Sequence, residues 1–284
     1  MLAEDRLREG NLEESLQQLQ EQVRKDPSNA KYRVFLFQLL AVLGQWDRAM
    51  TQLKVAGDLD AGTLAMVQTY REALRCEVLR GEIFAGRRSP LVFGKPDEWV
   101  ALMIEAQRLV AQGAGEQAQE VRERALELAP PTPGEMDGAP FEWIIDGDTR
   151  LGPLLEAIVN GRYYWVPYQR IKSIQVEKPE DLRDLVWMPA FFTWSNGGEA
   201  AGLIPARYPG SESSSDPEIR RCQKTDWLEG PGDTFIGQGQ RMLYTDGGEY
   251  ALMDVRHISL QGSDEEAGGS RACPGVGPAH PRGD

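Results

Sequence analysis

Four carboxylates stand close together in mid-chain, Glu142, Asp146, Asp148 and Glu156, and their type and spacing could support chemistry. Neighbouring carboxylates can hold a divalent cation or divide the acid and base roles of a hydrolysis. A hydrolase built on Asp146 and Asp148 would need a further ligand set or a nucleophile beside them. The chain supplies neither in a recognisable pattern. It has two histidines, and its three cysteines, Cys76, Cys222 and Cys273, lie far apart with no Cys-x-x-Cys spacing. No Gly-x-Ser-x-Gly elbow occurs. Gly237-Gln238-Gly239 is half of a phosphate-loop pattern without the following lysine, and reads better as a tight β bend. The plainer expectation is an Asx turn at Asp146-Gly147-Asp148 leading into a capped helix, with Arg150 and Arg162 near enough to pair with the acids. On this reading the protein is not an enzyme and has no catalytic residues, no cofactor and no metal site.

Bulk properties narrow the partners. The 284 residues suffice for two cores, and 41% hydrophobic with 26% charged residues is ordinary for a soluble chain. No apolar run approaches the ~20 residues of a membrane span. The opening MLAEDRLREG has no apolar signal-peptide core, so a cytoplasmic protein without a membrane partner is expected. The net charge of −13 is uneven: residues 1–130 carry 17 basic and 20 acidic side chains, and the remainder 14 and 24. An acidic second half repels a phosphate backbone, which argues against nucleic acid and favours a basic or amphipathic protein surface.

The elements that would position such residues fall into two kinds. Gly10 precedes Ser15 by five residues, Gly44 precedes Ala49 by five, and Gly113 precedes Ala118 by five. Ser15 and Ala49 are 34 residues apart, and Pro27 and Pro130 follow Ser15 and Ala118 by twelve. A turn glycine, a small packing residue and a terminating proline at this period signal tetratricopeptide-like helical hairpins. Apolar stripes with helical spacing agree: Leu12, Leu16, Leu19 and Val23, then Tyr32 to Leu43, then Leu64, Val67, Tyr70, Leu74 and Val78. Trp99 to Val110 and Ala118, Val121, Ala125 and Leu128 complete the set, while 84–97 reads as a loop. Two or three degenerate pairs over 1–129 would leave a groove able to take a peptide or helix.

Residues 130–140 (PPTPGEMDGAP) read as a linker. A small, mostly antiparallel β-rich domain is expected over 141–260 and a disordered tail over 261–284, giving an α+β multidomain chain. Strands are expected at Trp143–Ile145, Tyr163–Pro167 and Ile171–Val176, and hairpins at Trp187–Trp194 with Ala200–Ala206 and at Arg241–Thr245 with Glu249–Ile258. Pro153 to Asn160, closed by Gly161, is expected to be a helix, and Pro179 to start a helical turn. Tyr163, Trp165, Trp187, Phe192 and Trp194 are the candidate partner-binding residues. Trp187 and Phe191 have opposite alternation phase to Phe192 and Trp194, so one set should be exposed or covered by the helical domain.

The ordered residues also carry a resemblance. Trp143, Asp146, Asp148, Arg150, Gly152-Pro153 and Glu156 lead into Gly161-x-Tyr163-x-Trp165-x-Pro167. Pro179, Leu182-Arg183-Asp184-Leu185-x-Trp187, Pro205-x-Arg207-Tyr208-Pro209-Gly210-Ser211, Thr225-x-Trp227 and Gly237-Gln238-Gly239-Gln240-Arg241 follow. This succession resembles the ImpE/SciE (TagJ) proteins, accessory proteins of bacterial type VI secretion systems, over residues 1–258. The resemblance implies a non-enzymatic adaptor that binds the N-terminal helix of the small sheath subunit (TssB-like) and is linked to recycling by the ClpV-type AAA+ unfoldase. A scaffold that recruits that unfoldase directly through its helical repeats is the alternative. The resemblance transfers no binding residue.

Overall fold

The protein is described by a computed structural model over residues 11–261. Gly10, the opening segment and all of the tail expected over 261–284 except Gln261 lie outside the described residues.

The first half is helical: α1 (Leu12–Lys25), α2 (Ala30–Val42), α3 (Trp46–Leu59), α4 (Leu64–Phe84), α5 (Glu98–Ala111) and α6 (Gly115–Leu128). Local sequence sets the ends. Asn11 accepts the Glu14 amide at 3.0 Å and Asn29 the Tyr32 amide at 3.3 Å, capping α1 and α2. Gly44 (φ 66°) and Gly113 (φ 77°) supply left-handed backbone between the paired helices. Ser15, Ala49 and Ala118 have no exposed surface, so the paired helices meet at small residues, as their spacing requires. The expected core stripes have uncovered ends, because Leu64, Val78 and Leu128 are about half exposed.

The expected loop after α4 contains a two-residue strand, β1 (Leu91–Val92). Further strands are β2 (Gly134–Met136), β3 (Ala139–Phe141), β4 (Ile144–Asp146), β5 (Leu154–Val159), β6 (Arg162–Pro167), β7 (Ile171–Val176), β8 (Trp187–Trp194) and β9 (Glu199–Pro205). Then come α7 (Pro217–Arg220), β10 (Thr225–Gly230), β11 (Thr234–Gly239), β12 (Met242–Thr245), β13 (Gly248–Ala251) and β14 (His257–Leu260). The main sheet has the order β1-β6-β5-β9-β8-β7-β14-β2-β3 and is antiparallel except for β1 against β6. The β13-β12-β4 sheet and the β10-β11 hairpin complete the β part.

Four expectations need correction. The segment after Pro153 is strand β5, not a helix. LLEAIV is buried at all six positions, and a strand covered on both faces has the same continuous apolar pattern as a buried helix. Asn160 (φ 50°) and Gly161 (φ 72°) form the tight turn joining β5 to β6, a hairpin signal rather than a helix stop. The expected linker carries β2 and β3 within the main sheet, with Met136 fully buried. The expected strand Glu249–Ile258 divides into β13, paired with β12, and β14, which joins the main sheet between β7 and β2.

One core runs from the helices onto the sheet. Leu154, Ile158, Tyr163, Trp165, Trp187 and Leu203 face the helices and pack with Phe37, Tyr70, Leu74 and Phe84. Leu155, Val159, Val166, Met188, Phe192 and Ile204 form the opposite core with Met136, Ile144, Leu243 and Ile258. Each large side chain buried this way contributes roughly 1.5–3 kcal/mol. Among the described residues no helix is long and apolar enough to cross a membrane.

Candidate partner-binding site

The five aromatic candidates do not form a surface. Tyr163, Trp165, Trp187 and Phe192 are essentially inaccessible and Trp194 nearly so. The alternation of β8 is real, but both faces of the sheet are covered. Trp187 faces the helices, with its ring centroid 5.7 Å from that of Tyr70 and 6.2 Å from that of Trp46. Phe192 and Trp194 stack at 5.0 Å in the other core. Phe191 is the β8 aromatic left exposed.

The acidic cluster is instead the centre of a closed ion network. Asp146 ends β4, and its Oδ1 accepts the Asp148 amide at 2.8 Å, while Asp148 Oδ1 accepts the Arg150 amide at 3.0 Å. The first is the expected Asx turn, and a second follows it at Asp148. Asp148 also pairs with the Arg150 guanidinium at 2.8 and 2.5 Å and accepts the Gly237 amide at 3.0 Å. Arg162 and Glu142 are exposed and take no part, contrary to the sequence reading.

Glu156 alternates on β5 with Leu154 and Ile158 and so points at the helices. There Arg80 of α4 donates to it from Nε at 2.6 Å and from Nη2 at 2.8 Å. Arg241 joins Glu156 to Asp146, and the Tyr163 hydroxyl donates to Glu156 while accepting from Trp165 Nε1 at 2.8 Å. The Tyr208 hydroxyl donates to Asp146 at 3.0 Å. Arg207 caps the C-terminus of α2, donating to the carbonyls of Val42 at 2.7 Å and Ala41 at 3.1 Å.

The electrostatics follow the pairing. Burial would raise the Glu156 carboxyl, but Arg80 and Arg241 outweigh it and hold it down at about 2. Burial lifts Asp146 to about 6 against the pull of Arg241, and the neighbouring Asp148 charge adds to the rise. Arg241 itself is held above its ordinary value by the two acids it bridges, despite its burial, so it stays charged. No group of three or more potential metal ligands occurs among the described residues. Every acid in the network is occupied by arginine, tyrosine or backbone donors. What the arrangement does is fasten the helices to the sheet.

The open feature nearby is a cavity of about 280 Å³ at the seam between the two parts. Its wall is formed by Trp46 at the start of α3, by Glu77, Val78 and Gly81 of α4, and by Pro209 and Glu212 after β9. Glu77 accepts the Trp187 indole at 2.9 Å and is raised by burial. Sequence reading missed this site. Glu77 and Arg80 are neighbours on α4, but they meet Trp187 and the Arg207 carbonyl across more than 100 positions, and the one local signal is a glycine in α4 just past its apolar stripe.

Helical hairpins fastened to a mostly antiparallel sheet, with a cavity at the seam, define an α+β protein whose first half is of helical-hairpin type. The family model described as ImpE protein matches residues 138–259. A Pseudomonas aeruginosa protein named type VI secretion system accessory component TagJ is 53% identical over 264 residues, covering 93% of this chain and 92% of that one. The chain belongs to the ImpE (TagJ) family. An X-ray crystal structure of a Vibrio parahaemolyticus protein superposes with a TM-score of 0.84 at 22% identity, covering 93% of this chain and 98% of that one, and shows the same fold.

Proposed function

We propose that the protein is a non-enzymatic adaptor of a type VI secretion system. It binds the N-terminal helix of the small, TssB-like contractile-sheath subunit and assists sheath handling or ClpV-dependent recycling. The observation that carries this reading is the near full-length alignment with the TagJ accessory component at 53% identity. Two features support it. The polar residues that could have formed a reaction centre are spent on holding α4 to β5 and β4 to Arg241, and stacked hairpins with an open cavity suit an amphipathic helix better than a small substrate. The acidic charge of the chain favours a basic helix face.

Co-purification of the full chain with the sheath subunit, with and without that subunit's N-terminal helix, tests the reading. Retention that depends on the helix is expected. Equal retention after deleting the helix overturns it.

A further inference from the structure

The β10-β11 hairpin has one covered edge and one open edge. Just beyond the strands, the Gln240 amide donates to the Lys224 carbonyl at 3.0 Å, which fixes the phase of the ladder. Asp226, Leu228 and Gly230 therefore bond across to β11, while Thr225, Trp227 and Glu229 turn their backbone groups outward, as do Gly239, Gly237 and Phe235 opposite them. On β11 those outward groups are taken. Phe235 exchanges bonds with Thr149, the Gly237 amide donates to Asp148 at 3.0 Å, and Gly239 donates to Ser211 at 2.8 Å and accepts from Tyr208. On β10 the Trp227 amide donates to its neighbour Asp226 at 2.9 Å. The carbonyls of Thr225, Trp227 and Glu229 and the amides of Thr225 and Glu229 have no hydrogen-bond partner among the described residues.

A row of alternate donors and acceptors along an extended strand is matched by the backbone of another extended chain. Side chains narrow which chain. Leu228 is about half exposed on one face of the hairpin, beside Ile236. Asp226 stands on that face and Glu229 on the opposite one with Trp227, and both acids are exposed. Lys224 lies near Asp226 but is shared with Asp216, which it meets at 3.1 Å, and with Glu218, so acid remains in surplus. Glu229 has no ion pair among the described residues. A second copy would bring the same acids and a further net charge of −13 to this edge, which disfavours self-pairing.

We propose that β10 is a docking edge for an extended segment of a partner protein, which adds a strand beside it and carries basic residues three positions apart. That spacing sends one cation to Asp226 and the other to Glu229 on the opposite face, and the apolar residues between them cover Leu228. This surface goes beyond the helix-binding reading above, and neither depends on the other.

The probe is the labelled hexapeptide Thr-Lys-Val-Val-Lys-Thr, titrated with the full chain and followed by fluorescence anisotropy. Its controls are Thr-Glu-Val-Val-Glu-Thr and the lysine peptide N-methylated at every backbone amide. The lysine peptide is expected to bind, and both controls to bind roughly tenfold more weakly or worse. Glu229→Pro removes an outward amide that takes no part in the ladder to β11, and should weaken the lysine peptide by about tenfold. Glu229→Gln keeps that amide and should weaken it less. Equal binding of the N-methylated peptide reduces the contact to charge attraction and overturns the docking edge, and this control stands even where the proline variant fails to fold. Failure of the wild type to bind the lysine peptide also overturns it. A concentration-dependent dimer in sedimentation that Glu229→Pro abolishes would give the edge to a second copy and overturn the partner assignment.

Discussion

Arg80 donates to both carboxylate oxygens of Glu156, at 2.6 and 2.8 Å, from a helix to a strand 76 positions further along the chain. Both side chains are buried. The pair ties the helical half to the sheet. Removing one partner of such a pair leaves a buried charge uncompensated, at a cost of about 3–5 kcal/mol. Arg80→Met is expected to show that loss in chemical denaturation. Arg124→Met, which breaks the exposed pair with Glu98, is expected to stay within about 1 kcal/mol. Equal losses in the two variants would contradict the assignment of Arg80.

The network also gives stability a defined pH dependence. Glu156 is lowered from 4.5 to about 2, so its contribution is complete above pH 4.5 and is lost as the pH falls through that range. The amount is on the order of 3 kcal/mol. Asp146 acts in the opposite sense. Its folded value is raised from 3.8 to about 6, so ionising it works against the folded state, and acidification from 6 towards 4 relieves that cost. Stability should therefore hold or rise between pH 6 and 5 and fall steeply below about 4. Denaturant midpoints at pH 7, 5 and 3 measure this, and Glu156→Gln should flatten the acid limb. An equally steep limb in that variant would exclude Glu156 as its source.

Trp187 belongs to the interior. It contacts Tyr70 and Trp46 and donates its indole proton to Glu77, so Trp187→Ala should cost at least the about 3–5 kcal/mol usual for a large core aromatic. Trp187→Phe recovers part of the packing but leaves Glu77 with Arg80 as its remaining side-chain donor, and should fall between wild type and the alanine variant. Wild-type stability in Trp187→Ala would place the indole at a surface.

Burial raises the Cys76 and Cys222 thiols to about 12. Neither should react with a neutral-pH alkylating reagent in the native protein, and both should react in denaturant. Peptide mapping of the modified positions distinguishes them from Cys273. Rapid native labelling of Cys222 would contradict its place beneath the Ala206 carbonyl.

The features legible in the sequence were those whose causes are local. Gly44 and Gly113 had to be turns, and Ser15, Ala49 and Ala118 had to be small, because two helices joined by a few residues leave no other solution. The strands Ile171–Val176 and Trp187–Trp194 were legible for the same reason, since alternation and flanking turns lie within a few residues. The Asx turn at Asp146 was readable too.

Tertiary structure decided the rest. Whether LLEAIV is helix or strand depended on what covers its two faces, and that cover comes from α4 on one side and from the core around Ile144 and Leu243 on the other. The acids near Asp146 were visible, as was the pairing of Asp148 with nearby Arg150, but the partners of Glu156 did not include the nearby Arg162. They were Arg80 and Arg241, brought in from 76 and 85 positions away from Glu156. The aromatics of β8 announced two faces, and only the docking of the helices buried Trp187 and left Phe191 outside. Spacing along the chain determines turns and stripes because the backbone enforces them directly. Which charge meets which, and which wall of the seam stays open, depend on long-range packing that no short window of sequence contains.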